Sequence, residues 1–224
     1  MRQKGNCSLP EINIMALVSG SGTNLQALLD AEKAGALKST STDALVSGKM
    51  ALVISDNAEA YALKRAKAAG VTAFAEEPDK NLPANERRRE LSQRIFNMAI
   101  KYNISIIVLA GFLSILTGKI LTHFSGRIIN LHPSLLPKFG GEGMYGEFVH
   151  RAVLAAGEKE SGCTVHFVNE GIDSGPILLQ RKVPVLSGDT PDLLAKRVHE
   201  QEHIAIVESV KMLLGTLIGK LTFP

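Results

Sequence analysis

Cysteine is nearly absent from this chain, with Cys7 and Cys163 the only two in 224 residues. Two such distant thiols build no disulfide framework, and their spacing is not that of a metal site. Also missing is any apolar stretch near the roughly 18 uninterrupted residues that a membrane span needs. The basic N-terminus has no apolar segment long enough for a secretory signal, and so few residues precede the first expected strand that an organelle targeting peptide is not expected. Concentrated positive charge is scarce too. The formal net charge is +3, and apart from Arg87-Arg88-Arg89 the basic residues are dispersed, which argues against a nucleic-acid footprint while leaving small anionic ligands open. We find no internal repeat and no low-complexity linker. These absences point to a cytoplasmic globular protein with no nucleic-acid or membrane partner, for which 45% hydrophobic and 21% charged residues are ordinary values.

What is present is alternation. Ile12 to Val18, Ala51 to Ile54 and Ile104 to Leu109 read as strands, and Leu25 to Ala34, Glu59 to Ala69 and Glu86 to Tyr102 as amphipathic helices. Continuous apolar runs suit parallel strands covered on both faces. The strand-helix order predicts an α/β fold with a Rossmann-like, doubly wound, mostly parallel sheet. Further on, Arg127 to Leu131, Thr164 to Asn169 and Ile177 to Val185 read as strands, and the short gap between the last two predicts an antiparallel C-terminal portion. Thr190 is the expected N-cap, and Pro191 the first residue, of a long C-terminal helix reaching about Leu214. Ser39 to Ser47 and Glu76 to Asn85 read as loops. The expectation is one domain over residues 1–224, comprising a flexible N-terminal extension over 1–11, a βα half over 12–110 and a second half over 111–224.

Several constellations could carry chemistry. Asn130 and His132 stand two apart at the end of a strand, so their side chains face one pocket. A carboxamide donor beside an imidazole can bind a developing oxyanion and move a proton, as acyl transfer requires; the alternative is a capping Asn and a hydrogen-bonded His. Ser19-Gly20-Ser21-Gly22-Thr23-Asn24 lies between the first strand and the first helix, where glycines and free amides favour a phosphate. With no following Lys and no third glycine it is neither a Walker loop nor the full dinucleotide fingerprint, and a plain βα turn is the other reading. Asp173, in a glycine-flanked loop, is either a turn residue or a carboxylate that reaches His132 and holds a proton-relaying water. His199-Glu200-Gln201-Glu202-His203 fits the H-E-x-x-H pattern of zinc peptidases. No histidine follows His203, however, and Glu208 would point elsewhere on the same helix, so this stands as a remote alternative. His166 reads as a hydrogen-bonded core histidine, and Arg87 to Arg89 as a solvated helix start from which one guanidinium could reach an anion.

In chain order, Val18 to Ala27, Leu109 to Leu116, Asn130 to Pro137, Gly162 to Val168, Asp173 to Gln180 and Gln201-Glu202-His203 resemble one family. It is the phosphoribosylglycinamide formyltransferases, the folate-dependent glycinamide ribonucleotide transformylases of purine biosynthesis. The resemblance spans nearly the whole chain and implies that Gly22, Thr23 and Asn24 hold the ribonucleotide phosphate and that Glu202 contacts the ribonucleotide. It implies a catalytic trio of Asn130, His132 and Asp173. Arg88, Leu113, Ser114, Ile115 and Leu116, with Asn130, would form the folate side, so that 12–110 becomes a phosphate-binding half and 111–224 a catalytic and folate half. The co-substrates implied are 10-formyltetrahydrofolate and glycinamide ribonucleotide, without a metal, in a monomer or homodimer. The amine would attack the formyl carbon directly, giving a tetrahedral oxyanion stabilised by Asn130 and protonated His132. Ser114 stands where other members often carry Arg, the stretch Phe139 to Phe148 is longer than in some relatives, and the alignment at Arg87 to Arg89 is ambiguous by a residue. Methionyl-tRNA formyltransferase and formyltetrahydrofolate hydrolase share the Asn-x-His and Asp pattern but add a C-terminal β-barrel or an N-terminal regulatory domain. Neither segment is expected here, and the His132-Pro133-Ser134 junction suits the purine enzyme better.

Overall fold

Apolar residues that alternate between the two faces of each central strand dictate a sheet buried on both sides. The computed structural model, which describes residues 10–39 and 45–221, has this arrangement. Strands β1 (Glu11–Val18), β2 (Ser47–Ser55), β3 (Thr72–Ala75), β4 (Ile106–Leu109) and β5 (Ile128–His132) run parallel. Strands β6 (Glu160–Phe167) and β7 (Ile177–Pro184) close the sheet antiparallel, in the order β3-β2-β1-β4-β5-β6-β7. On β1, Ile14, Ala16 and Val18 join one hydrophobic cluster while Met15 and Leu17 join the other, as a period of two requires. Helices α1 (Thr23–Lys33), α2 (Tyr61–Ala68), α5 (Glu147–Ala155) and α6 (Pro191–Leu221) cover the first face with residues such as Leu25, Ala62, Val149 and Val198. Helices α3 (Ala84–Lys101) and α4 (Lys119–His123) cover the second with Leu91, Ile95, Ile120 and Phe124.

Strand order reverses between β1 and β4, because the chain leaves β1 towards β2 and β3 and resumes on the other side at β4. Such a switch point opens a crevice at the carboxyl ends of the strands. Two hydrogen bonds hold its lips together: Ser19 N–H to the Gly111 carbonyl at 2.9 Å, and Leu113 N–H to Ser19 Oγ at 2.8 Å.

The doubly wound sheet and its antiparallel end match the sequence expectation, and Leu193 N–H donates to Thr190 Oγ1 at 3.3 Å, the expected cap. Other boundaries differ. Strand β2 starts at Ser47 rather than Ala51, because Ser47 to Met50 are held by pairing with β1 from Glu11 onward and not by an apolar run of their own; Ser47 therefore leaves the expected loop, of which residues 40–44 lie outside the described ones. Strand β3 lacks an apolar pattern because it is an edge strand exposed along most of its length. Helix α5 takes over Glu147 and Phe148 from the glycine-rich stretch, and α6 continues to Leu221. Glu11 belongs to β1, and residues 1–9 of the expected extension lie outside the described residues. Among the described residues, no helix is long and apolar enough to cross a membrane.

Candidate active site

Strand β5 carries Asn130 to the floor of a cavity of about 540 Å³ at the switch point, between Leu109 of β4 and His166 of β6 in register. His132 follows on the same side of the strand and is 4% exposed. The loop between β6 and β7 then returns Asp173 to the same place, 43 residues away from Asn130 in sequence. Its carboxylate accepts from Asn130 Nδ2 at 3.3 Å and from the Gly141 amide at 3.0 Å, and Oδ2 lies 3.4 Å from His132 Nδ1. A carboxylate only accepts, so the Asn130 amide is oriented with its NH₂ group towards Asp173; the same nitrogen is 3.2 Å from His166 Nε2. Asp173 has φ of 50°, a left-handed conformation that Asp tolerates better than most residues. Gly140 permits the approach, since a Cβ there would fall 2.5 Å from Leu136 Cδ2 and 3.3 Å from Asp173 Cβ.

Both ring nitrogens of His132 face oxygen acceptors, with Nε2 2.8 Å from the Phe139 carbonyl and Nδ1 towards Asp173. Burial nonetheless pulls the imidazole below its ordinary value, outweighing the opposing pull of Asp173 and Phe139. For Asp173, burial raises the carboxyl, but hydrogen bonding with His166, the charge of His132 and the Gly141 amide together carry it below the usual range. The two directions do not describe a full ion pair. The resting state they fit is a neutral imidazole beside an ionised carboxylate, with His166 and Gly141 supporting the carboxylate; the protonated His132 of the expectation belongs to the oxyanion adduct. Cys163 is no rival nucleophile, because burial pushes its thiol up to about 12 and only the thiolate attacks.

Of the expected phosphate loop, Asn24 lines the cavity and Gly22 and Thr23 do not; Gly22 caps α1 with φ of 72°, and no side chain caps the helix start. Its first-turn amides are the sort that bind an anion. Asn24 Nδ2 donates to Glu202 Oε2 at 3.2 Å, and the same oxygen is 2.6 Å from His199 Nδ1. Glu202 is 3% exposed, a buried acceptor set between the glycine loop and β5. Its hydrogen bond raises the His199 pKa above normal against the opposing effect of burial. A Cβ on Gly22 would lie 2.6 Å from Ala62 Cβ and 2.8 Å from Ala62 Cα. Gly22→Ala should therefore cost about 1–3 kcal/mol through positive-φ strain and the clash, lowering the thermal midpoint by several degrees for a chain of this size; an unchanged melting curve would contradict this account of the loop.

Leu113, Ser114, Ile115 and Leu116 line the cavity after β4, and the first three also border an adjoining pocket of about 130 Å³ containing Arg87 and Arg88. Arg89 is exposed and outside both. Ser114 donates through N–H and Oγ to Asp56 Oδ2 at 3.1 and 2.6 Å, so an acid sits directly behind this part of the cavity wall. His199 lines the cavity and His203 does not. Among the described residues, no group of three or more His, Cys, Asp or Glu side chains is arranged to hold a metal.

Sequence reasoning brings Asn130, His132, Asp173, Asn24, Glu202 and Leu113 to Leu116 to one cavity. It underrates His166, which is buried and hydrogen-bonded as expected but also lines the site. The available signal was its register opposite Asn130. His150 of α5 also lines the cavity and was not singled out, because α5 was hidden behind the glycine-rich stretch.

A family model described as formyl transferase matches residues 12–210. Phosphoribosylglycinamide formyltransferase of Escherichia coli is 38% identical over 86% of this chain and 82% of that protein, and the Haemophilus influenzae enzyme of the same name is 40% identical over 85% and 81%. A trifunctional purine biosynthetic protein of Chironomus tentans is 37% identical over 92% of this chain, which spans only 14% of that protein. Among solved structures, glycinamide ribonucleotide transformylase 1 from Symbiobacterium toebii superposes with a TM-score of 0.79 at 40% identity, covering 91% of this chain and 88% of that one.

Proposed function

Because this chain belongs to the phosphoribosylglycinamide formyltransferase family, within the formyl transferases, we propose that it moves the formyl group of 10-formyltetrahydrofolate onto the amine of glycinamide ribonucleotide, through Asn130, His132 and Asp173. The observation that carries this reading is the convergence on a cavity wall of the Asn130 carboxamide and the His132 imidazole on the Asp173 carboxylate, at 3.3 and 3.4 Å. The helix that carries cavity-lining Asn24 starts at Gly22 without a side-chain cap. Chemistry of this kind recurs wherever an acyl carbon passes through a charged tetrahedral adduct.

Gly22, Thr23 and Asn24 take the phosphate, and Glu202 takes the ribose. Leu113 to Leu116 receive the folate ring system, and Arg88 reaches its anionic tail. The amine attacks the formyl carbon and leaves an oxyanion and an ammonium on one adduct. Asn130 Nδ2 donates to the oxyanion in place of its long resting contacts. Neutral His132 is a competent base and accepts the proton that the ammonium loses, directly or through a water held by Asp173. The resulting imidazolium sits beside the oxyanion and opposite Asp173, which now compensate its burial, and it returns the proton to the folate nitrogen as that bond breaks. We assign this to one formyltransferase domain acting on small molecules in the cytoplasm, with 12–110 supplying the phosphate cradle and 111–224 the reacting and folate side.

The test is direct. The purified chain is mixed with 10-formyltetrahydrofolate, with and without glycinamide ribonucleotide, while folate absorbance is followed. Turnover that requires the ribonucleotide is expected; equal turnover without it would make the chain a deformylase and overturn the reading.

A further inference from the structure

We infer that His150 is an additional acceptor-binding residue, its side chain hydrogen-bonding a ribose hydroxyl of the ribonucleotide alongside Glu202. The inference rests on the reading above and extends it to a residue outside both the catalytic trio and the glycine loop.

His150 is 1% exposed, yet its Nδ1 is buried without any hydrogen-bond partner, and the residue forms part of the cavity wall. Buried polar atoms are almost always paired, so an orphan on a ring that lines a cavity points to a partner that arrives with the ligand. Its neighbours define that partner. The ring centroid lies 6.5 Å from that of His199, whose Nδ1 holds Glu202, and Glu202 is the strongest charge acting on His150. Glu202 in turn accepts from Asn24 in the glycine loop. A ribonucleotide with its phosphate at that loop and its amine at His132 must lay its sugar in between, against Glu202 and His150.

The chemistry of the group fits a hydroxyl better than a charged ligand. Burial lowers the imidazole's pKa even though Glu202 and Glu147 favour the cation and His199 and His132 oppose it. A neutral ring offers one donor and one acceptor, and a sugar hydroxyl is both. Glu202 alone could only accept, so it fixes the hydroxyl's proton and leaves its lone pairs unused; a ring N–H from His150 would take one of them.

The experiment compares wild type with His150→Gln, which retains a donor and an acceptor, and His150→Phe, which retains ring volume alone. Steady-state constants for both substrates are measured alongside calorimetric binding of glycinamide ribonucleotide. His150→Phe should raise KM and the dissociation constant for the ribonucleotide by roughly three- to tenfold or more, with KM for the folate moving less and His150→Gln recovering part of the loss. Unchanged ribonucleotide affinity, or an equal rise for both substrates, would overturn the inference. If His150→Phe does not fold, 2′- and 3′-deoxy acceptors tested on wild type and His150→Ala complete the comparison. The penalty for removing one hydroxyl should shrink in His150→Ala, which cannot hydrogen-bond it, and identical penalties would refute the contact. A wild type that turns over without the ribonucleotide would instead refute the underlying assignment, and the two failures are thereby distinct.

Discussion

Replacing His132 with alanine is expected to lower kcat by about 10²- to 10⁴-fold, the range for losing a positioned general acid-base. Two features place the effect on chemistry. The ring lies 3.4 Å from the carboxylate of Asp173, on the same strand as Asn130; the other imidazole beside that carboxylate, His166, is committed to the Phe167 carbonyl at 2.9 Å and to Asn130. Besides Asp173, His132 contacts the Phe139 carbonyl, which Ser134 Oγ also approaches at 3.5 Å and would continue to hold. The variant should therefore keep a native far-ultraviolet circular dichroism spectrum and bind the ribonucleotide within a few-fold of wild type. A kcat within tenfold of wild type in a folded variant would remove His132 from the reaction.

Asp173→Asn carries the second large effect, and it is sharper than alanine would be. Asparagine tolerates the left-handed backbone found here at φ of 50° and its carbonyl can still accept from the Gly141 amide. The charge is removed, and with it the second acceptor oxygen, since the amide NH₂ then faces Asn130 Nδ2. We expect kcat to fall about a hundredfold or more, since the imidazolium formed during turnover loses its counter-charge. The pH profile supplies the sign. In wild type, burial already holds His132 below its ordinary value, and Asp173 works against that shift. With neutral His132 as the active form, kcat/KM is full above that lowered value and declines as pH falls through it. Without the carboxylate, burial is less opposed, so the ring titrates lower still and the acid limb moves further down. An upward shift would contradict the assignment of charge in the resting site.

How much of this was legible in the sequence differs from element to element, for physical reasons. Strands β1 and β4 announce themselves because both faces are buried, which leaves an uninterrupted apolar run. Edge strand β3 and the first half of β2 carry no such run; their existence is a consequence of pairing with neighbours. Asn130 and His132 could be placed together by strand period, but nothing local in the chain joins them to Asp173. That contact is created by antiparallel β6 and β7, which turn the chain back across the carboxyl end of β5. The family resemblance supplied the link, and the geometry gives its physical content. His150 escaped for the opposite reason. Three positive-φ glycines, Gly141, Gly143 and Gly146, precede α5 and make its approach read as loop, although a buried His on a helix facing a cavity is conspicuous once the helix is known.

The central claim is that an imidazole and a carboxylate far apart in sequence act as one device on the formyl carbon. Single-turnover rates for His132→Ala, Asp173→Asn and the variant carrying both test it most directly, because groups that act together lose their effect together. The account predicts that the doubly substituted enzyme is slower than the worse single variant by no more than about threefold. Losses that multiply in full would show two independent contributions and contradict it.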